Sequence, residues 1–205
     1  MSYPAFGGAN GWPATLVGNS SVAGGPAIAH LCVRHLPTAP VTTNEQIWLY
    51  NQSLDYLQGN GVPIDAEQSF ALNAKAAREG YREAVLAMGW YYLGGVGVPQ
   101  DNEKAKTWYR KSARHGEPKA MFSLGRISYD ERDYLDSFRW FSRAAEAGHV
   151  RSLYWVGKHH WFGRGIPQDK KEAMRLFHLA AGKKVKAARR VLKFLSRRRY
   201  DKTAA

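Results

Sequence analysis

The sequence predicts an all-α fold, a solenoid of about four αα-hairpin repeats closed by a C-terminal capping helix. Two observations predict it. A glycine loop recurs as "GNGVPID" from Gly59, "GVGVPQD" from Gly95 and "GRGIPQD" from Gly163. Its steps of 36 and 68 residues leave room for one more unit, which is found around Asp133, where the loop is four residues shorter. The second observation is the shared pattern after Asp65, Asp101, Asp133 and Asp169. Four residues on stand the small Ser69, Ala105, Ser137 and Ala173, and seven on the large Leu72, Trp108, Trp140 and Leu176. Then come Asn73, Tyr109, Phe141 and Phe177, followed by Ala76-Ala77, Ser112-Ala113, Ala144-Ala145 and Ala180-Ala181. These offsets describe one helical stripe, with small residues where a neighbouring helix approaches closely.

Taken from the N-terminus, residues 1–43 carry one charged side chain, Arg34, with five of the nine prolines and the pairs Gly7-Gly8 and Gly24-Gly25. That composition predicts a flexible arm. The repeat domain is expected over 44–188. Its first helices are clearest in "EAVLAMGWYYLGG" from Glu83, "KAMFSLGRISYDE" from Lys119 and "RSLYWVGKHHWFG" from Arg151. Gly89, Gly125 and Gly157 recur at one position inside them, and a helix-interior glycine at a fixed place marks a close helix crossing. The stripe of Val85, Met88 and Tyr92 is expected to pack inward, as is His160 two units later. Each loop then leads to an aspartate standing where an N-cap belongs, and Asp65 with Gln68 and Asp169 with Glu172 have capping-box spacing. A phosphate-cradling role for the loop is disfavoured, because it lacks Gly-Lys-Ser/Thr and places Asp101 at the helix entrance. From Lys183 to Lys202 ten basic side chains face one acidic one, so most of the chain's formal +13 resides there. Val185, Ala188, Val191, Leu192 and Leu195 recur at helical spacing within it, predicting a basic capping helix and tail over 189–205 with an apolar inner face.

The repeated pattern resembles the Sel1-like repeat, a relative of the tetratricopeptide repeat. The fullest match is Ala84, Met88-Gly89, Tyr92, Gly95-Val96-Gly97-Val98, Asp101, Lys104-Ala105, Trp108-Tyr109, Ser112-Ala113 and Gly116. Departures are Ser53 at the helix-glycine position of the first unit, the short loop of the third, and Lys184 in place of the last closing glycine. The resemblance implies a right-handed α/α superhelix whose groove binds a partner protein. By analogy with tetratricopeptide folds it places the groove on the second face of the first helices, about 120° from the inward stripe. Those residues are Leu86, Trp90 and Leu93, then Phe122, Arg126 and Tyr129, then Tyr154, Lys158 and Trp161. Aromatic and cationic side chains together suit a protein or peptide with an acidic surface. The alternative is that many of them pack against the neighbouring unit.

The reading is a non-enzymatic scaffold or adaptor, with an immunity protein that neutralises a cognate effector as the sharper alternative. A further alternative is binding of nucleic acid or an anionic surface through the basic C-terminus, with Arg189, Arg190, Lys193, Arg197, Arg198 and Arg199 as the patch. Few aromatics interleave those cations, which weighs against nucleic acid. No catalytic constellation, cofactor site or metal site is expected: His30, Cys32 and His35 match no zinc spacing, and adjacent His159 and His160 point in different directions. A single cysteine fits a reducing, cytoplasmic setting. No apolar run approaches the ~20 residues of a transmembrane helix.

Overall fold

The computed structural model describes residues 44–203, with side chains through Arg197. The arm assigned to residues 1–43, with His30, Cys32 and His35, lies outside the described residues. Within them the chain is all helix and turn, running through α1 (Asn44–Gln58), α2 (Ala66–Arg78), α3 (Arg82–Gly94) and α4 (Asn102–Arg114). It continues through α5 (Pro118–Asp130), α6 (Tyr134–Glu146), α7 (Val150–Phe162), α8 (Lys170–Gly182) and α9 (Lys186–Thr203). Each helix packs chiefly on the one before and the one after, giving four hairpins, α1–α2 to α7–α8, with α9 against α8. This is the expected solenoid.

The four aspartates cap the second helices. Asp65, Asp101 and Asp169 accept from the amides of Gln68, Lys104 and Glu172 at 2.9 Å, and Asp133 accepts from Asp136 at 3.0 Å. At Asp169 the reciprocal half of the capping box is replaced, because the Glu172 carboxylate is taken bidentately by Arg175 at 2.7 Å. Two of the loops also touch the unit before them. A Cβ at Gly97 would overlap the Ala66 carbonyl, and one at Gly165 would lie 2.5 Å from the Tyr134 carbonyl carbon. The second and fourth units' loops therefore seat their backbone against the start of the preceding unit's second helix.

The hairpin crossings fall at the recurrent glycines. A Cβ at Gly89 would lie 2.5 Å from Tyr109, one at Gly125 2.8 Å from Phe141, and one at Gly157 2.8 Å from Phe177. In the first unit the pair is Ser53 and Asn73, both fully buried: the glycine position gains a side chain and the facing position loses an aromatic ring. Between units a second pairing recurs. The Ser69 hydroxyl donates to the Ser53 carbonyl at 2.6 Å and meets the Tyr91 hydroxyl at 2.6 Å. Ser137 Oγ lies 2.8 Å from the Gly125 carbonyl oxygen and 3.2 Å from His159 Nε2. The corresponding residues at the intervening junction are Ala105 and Ile127, both buried.

Two inward assignments are corrected by one residue. Tyr91 is 1% exposed and His159 is fully buried, whereas Tyr92 and His160 are half-buried. Each first helix is held between its own second helix and that of the preceding unit, so its buried arc extends to the position two residues after the glycine. α9 begins at Lys186, so the boundary at 188/189 falls inside it. Ala188 is fully buried, and Val191, Leu192 and Leu195 are half-buried.

Candidate functional site

The nine groove candidates occupy three positions relative to the helix glycine, and all nine are half-buried. The side chains three residues before it pack on neighbouring helices. Phe122 meets Phe141 at 5.5 Å and His149 at 4.4 Å, and Tyr154 meets Phe177 at 5.8 Å. Leu86, together with Leu93, packs on the buried cluster around Tyr109 and Leu124. Trp161 meets Phe177 at 6.2 Å and Trp90 meets Tyr91 at 5.1 Å. Of these six side chains, the five other than Trp90 pack against other helices.

The remaining three, Arg126, Tyr129 and Lys158, are brought together across the α5–α7 junction by a residue the sequence reading missed. Trp155 stacks on buried Phe141 with centroids 5.1 Å apart and planes 15° apart. The Arg126 guanidinium lies 4.7 Å from the Trp155 centroid, and Lys158 Nζ lies 4.3 Å from Trp155 and 4.8 Å from Tyr129. Tyr129 meets Trp155 edge-on at 5.0 Å. From the loop after α7, Arg164 donates to the Tyr129 hydroxyl and lies 5.5 Å from its ring. The result is a ladder of rings and cations held from below by Phe141, in which each cation–ring contact is worth roughly 0.5–2 kcal/mol depending on desolvation. Among the described residues one carboxylate pairs with its cations, Asp130, 3.7 Å from Arg126. Trp155 could have been found by comparing units, since Ala87 and Ser123 stand at its position elsewhere. Arg164 carried a weaker signal, replacing Asn60 and Val96 in the recurrent glycine loop.

Two histidines border the ladder. His159 bonds the Arg164 carbonyl through Nδ1 at 2.7 Å, and burial draws its pKa below the ordinary value against that bond. His149, at the start of α7, is pushed down to about 4 by burial, with Arg151 and Lys119 adding to the effect. Both therefore favour the neutral ring at pH 7. Among the described residues no group of three His, Cys, Asp or Glu side chains is placed to hold a metal ion, and no helix is long and apolar enough to cross a membrane.

At the other candidate site, Arg189, Arg190, Lys193 and Arg197 are exposed on α9, and the Arg189 Nε approaches the Ala181 carbonyl at 3.4 Å. The side chains of Arg198 and Arg199 lie outside the described residues.

The Sel1 repeat family matches the chain in four consecutive segments, 56–81, 82–117, 118–149 and 150–184. The chain belongs to the Sel1 repeat family. Solved structures share its fold, two of them bacterial SLR proteins. A Sel1 repeat protein from Oxalobacter formigenes is 27% identical with a TM-score of 0.66, over 71% of this chain and 61% of that one. The second, c5321, a protective antigen of uropathogenic Escherichia coli strains with an SLR fold, is 28% identical with a TM-score of 0.66, over 70% of this chain and 32% of that one. The chain thus spans less than two thirds of either relative. No curated protein sequence matches it significantly. Sel1 repeats generally mediate protein–protein interaction, and the family is typically a non-catalytic interaction scaffold.

Proposed function

We propose that this Sel1 repeat protein is a non-enzymatic scaffold that docks an acidic partner protein on the face formed by α5 and α7, in a reducing, cytoplasmic setting. The observation that carries the reading is the Arg126–Trp155–Lys158–Tyr129 ladder. Its rings are half-exposed and fixed by packing on Phe141. Its three cations, Arg164 included, sit against rings with Asp130 as the attending acid. Rigid aromatics lose little entropy on binding, and arginine and tryptophan are favoured at hot spots. The local excess of positive charge selects a carboxylate-rich surface and speeds its approach. An effector neutralised by its cognate immunity protein is one partner of that chemistry.

The test compares the full chain with an Arg126→Glu/Lys158→Glu variant in affinity capture from native lysate. Matched far-UV circular dichroism melts establish that the fold is retained. The expected result is one stoichiometric acidic protein, lost from the variant and kept by Arg189→Ala/Arg190→Ala. Capture of nuclease-sensitive material that survives the ladder variant and is lost with the α9 substitutions overturns the reading in favour of nucleic acid.

A further inference from the structure

The α4–α6 junction holds a different arrangement. Arg110, Ala113 and Arg114 of α4 and Trp140 and Arg143 of α6 line a cleft of about 210 Å³. The three arginines are exposed, and among the described residues none of them joins an ion pair with a carboxylate. One wall is fixed in place. Trp140 Nε1 donates to Asp136 Oδ2 at 3.0 Å, and the same oxygen accepts from Ser128 Oγ at 2.9 Å. The Arg143 guanidinium rests 4.7 Å from the Trp140 centroid, so its fork is held while its charge stays unpaired. Both donors fall on Oδ2 of Asp136, which fixes the indole through that carboxylate.

A cation over a tryptophan recurs at the preceding junction, where Lys111 lies 5.1 Å from Trp108, but the set of three arginines is found at this one alone among the described junctions. At the corresponding positions of the next, α6 and α8 carry Ser142, Glu146 and Leu179, and at the preceding one α2 and α4 carry Ala74, Arg78 and Lys111. A fold requirement would recur with the repeat; three converging guanidiniums at a single junction do not follow from it.

We propose that this cleft binds a phosphate monoester carried by a polypeptide, a site separate from the α5–α7 ladder. The volume is below the roughly 300 Å³ at which pockets for whole small molecules begin, so it takes one anionic group of a larger ligand. A phosphate offers three strong acceptor oxygens and about −1.5 to −2 charge to three guanidiniums, where a carboxylate offers two oxygens and one charge. Arginine clusters are a recurring device for reading phosphorylated motifs. The polypeptide carrier rests on the protein-binding reading above; the anion chemistry does not.

The test is titration of the full chain with fluorescein-labelled glycine-serine peptides carrying one phosphoserine, one serine or one glutamate, read by fluorescence anisotropy. The Trp140 indole NH signal is followed by NMR, with inorganic phosphate as a separate arm. The expected result is binding of the phosphoserine peptide with a shift of the Trp140 signal, weakened about tenfold or more by Arg143→Ala and by Arg110→Ala/Arg114→Ala. Arg126→Glu/Lys158→Glu and Arg189→Ala/Arg190→Ala leave it unchanged, which keeps this outcome distinct from failure of the ladder reading. Binding weakens as pH falls below about 6, where the phosphate loses its second charge. Equal affinity for the glutamate peptide overturns the phosphate assignment. Loss through the α9 substitutions with no effect of Arg143→Ala overturns the site, and binding of inorganic phosphate without the peptide overturns the polypeptide carrier.

Discussion

Gly125 and Phe141 are matched partners, whereas Lys184 is mismatched with the turn it occupies. An added methyl at Gly125 would meet Phe141 Cδ1 at 2.8 Å, too close for a rigid ring already stacked on Trp155. Gly125→Ala is therefore expected to destabilise by about 1–3 kcal/mol. In a Phe141→Leu background the same substitution is expected to cost less, and a urea-denaturation double-mutant cycle measures that coupling. If the two costs simply add, the crossing is not where the glycine acts. Lys184 is the opposite case. Gly80, Gly116 and Gly148 close their hairpins with φ of 92°, 81° and 88°, and Lys184 closes the last with φ of 65°. A side chain with a Cβ is strained there, so Lys184→Gly is expected to stabilise by about 1 kcal/mol, read as a higher thermal midpoint. Ser69 and Tyr91 supply a third test, because buried polar partners are asymmetric. Ser69→Ala removes the 2.6 Å partner of the Tyr91 hydroxyl, leaving it Ser53, and is expected to cost about 1–2 kcal/mol; in a Tyr91→Phe background the further cost of Ser69→Ala is smaller.

At the scale of the helix, the second helices were legible because each has one buried stripe and one solvated face, and Asp65, Asp101, Asp133 and Asp169 mark their starts. The first helices were harder to read. α3 and α7 are covered from two sides, so periodicity placed Tyr92 and His160 inward where packing buries Tyr91 and His159. The ladder was half legible for the same reason: Arg126, Tyr129 and Lys158 were found by position, but Trp155 belongs to the arc between two second helices and stands out only against Ala87 and Ser123. Burial of α7 has a measurable pH consequence. The folded pKa of His149 lies at about 4 against an unfolded 6.5, and that of His159 is also lowered. The unfolded chain therefore binds protons before the folded one, and stability present above pH 6.5 is lost as pH falls from 6.5 towards 4. Urea midpoints measured between pH 7 and 4.5 are expected to fall, and His149→Gln is expected to flatten that slope. An unchanged slope in the variant assigns the loss to other groups.

For the repeat array as a whole, stability is close to a sum of hairpins and nearest-neighbour contacts, so damage at one end stays near that end. α9 is the C-terminal neighbour of α8, and its Ala188 is fully buried while Val191, Leu192 and Leu195 are half-buried. Arg189, Arg190, Lys193 and Arg197 of α9 are exposed. Ending the chain after Val185 removes this cover and leaves the apolar side of α8 to water. The expected outcome is faster amide exchange through α7 and α8, with α1 to α4 close to their values in the full chain. Because the ladder draws Trp155 and Lys158 from α7, partner affinity is expected to fall in the truncated chain even though none of its contact residues is deleted. The cleft between α4 and α6 lies further from the cut, and its peptide affinity is expected to change less. Hydrogen exchange resolved by helix, with both affinities measured on the same truncated protein, tests this ordering; uniform loss of protection from α1 to α8 would mean that the array unfolds as one unit, with α9 supporting both faces equally.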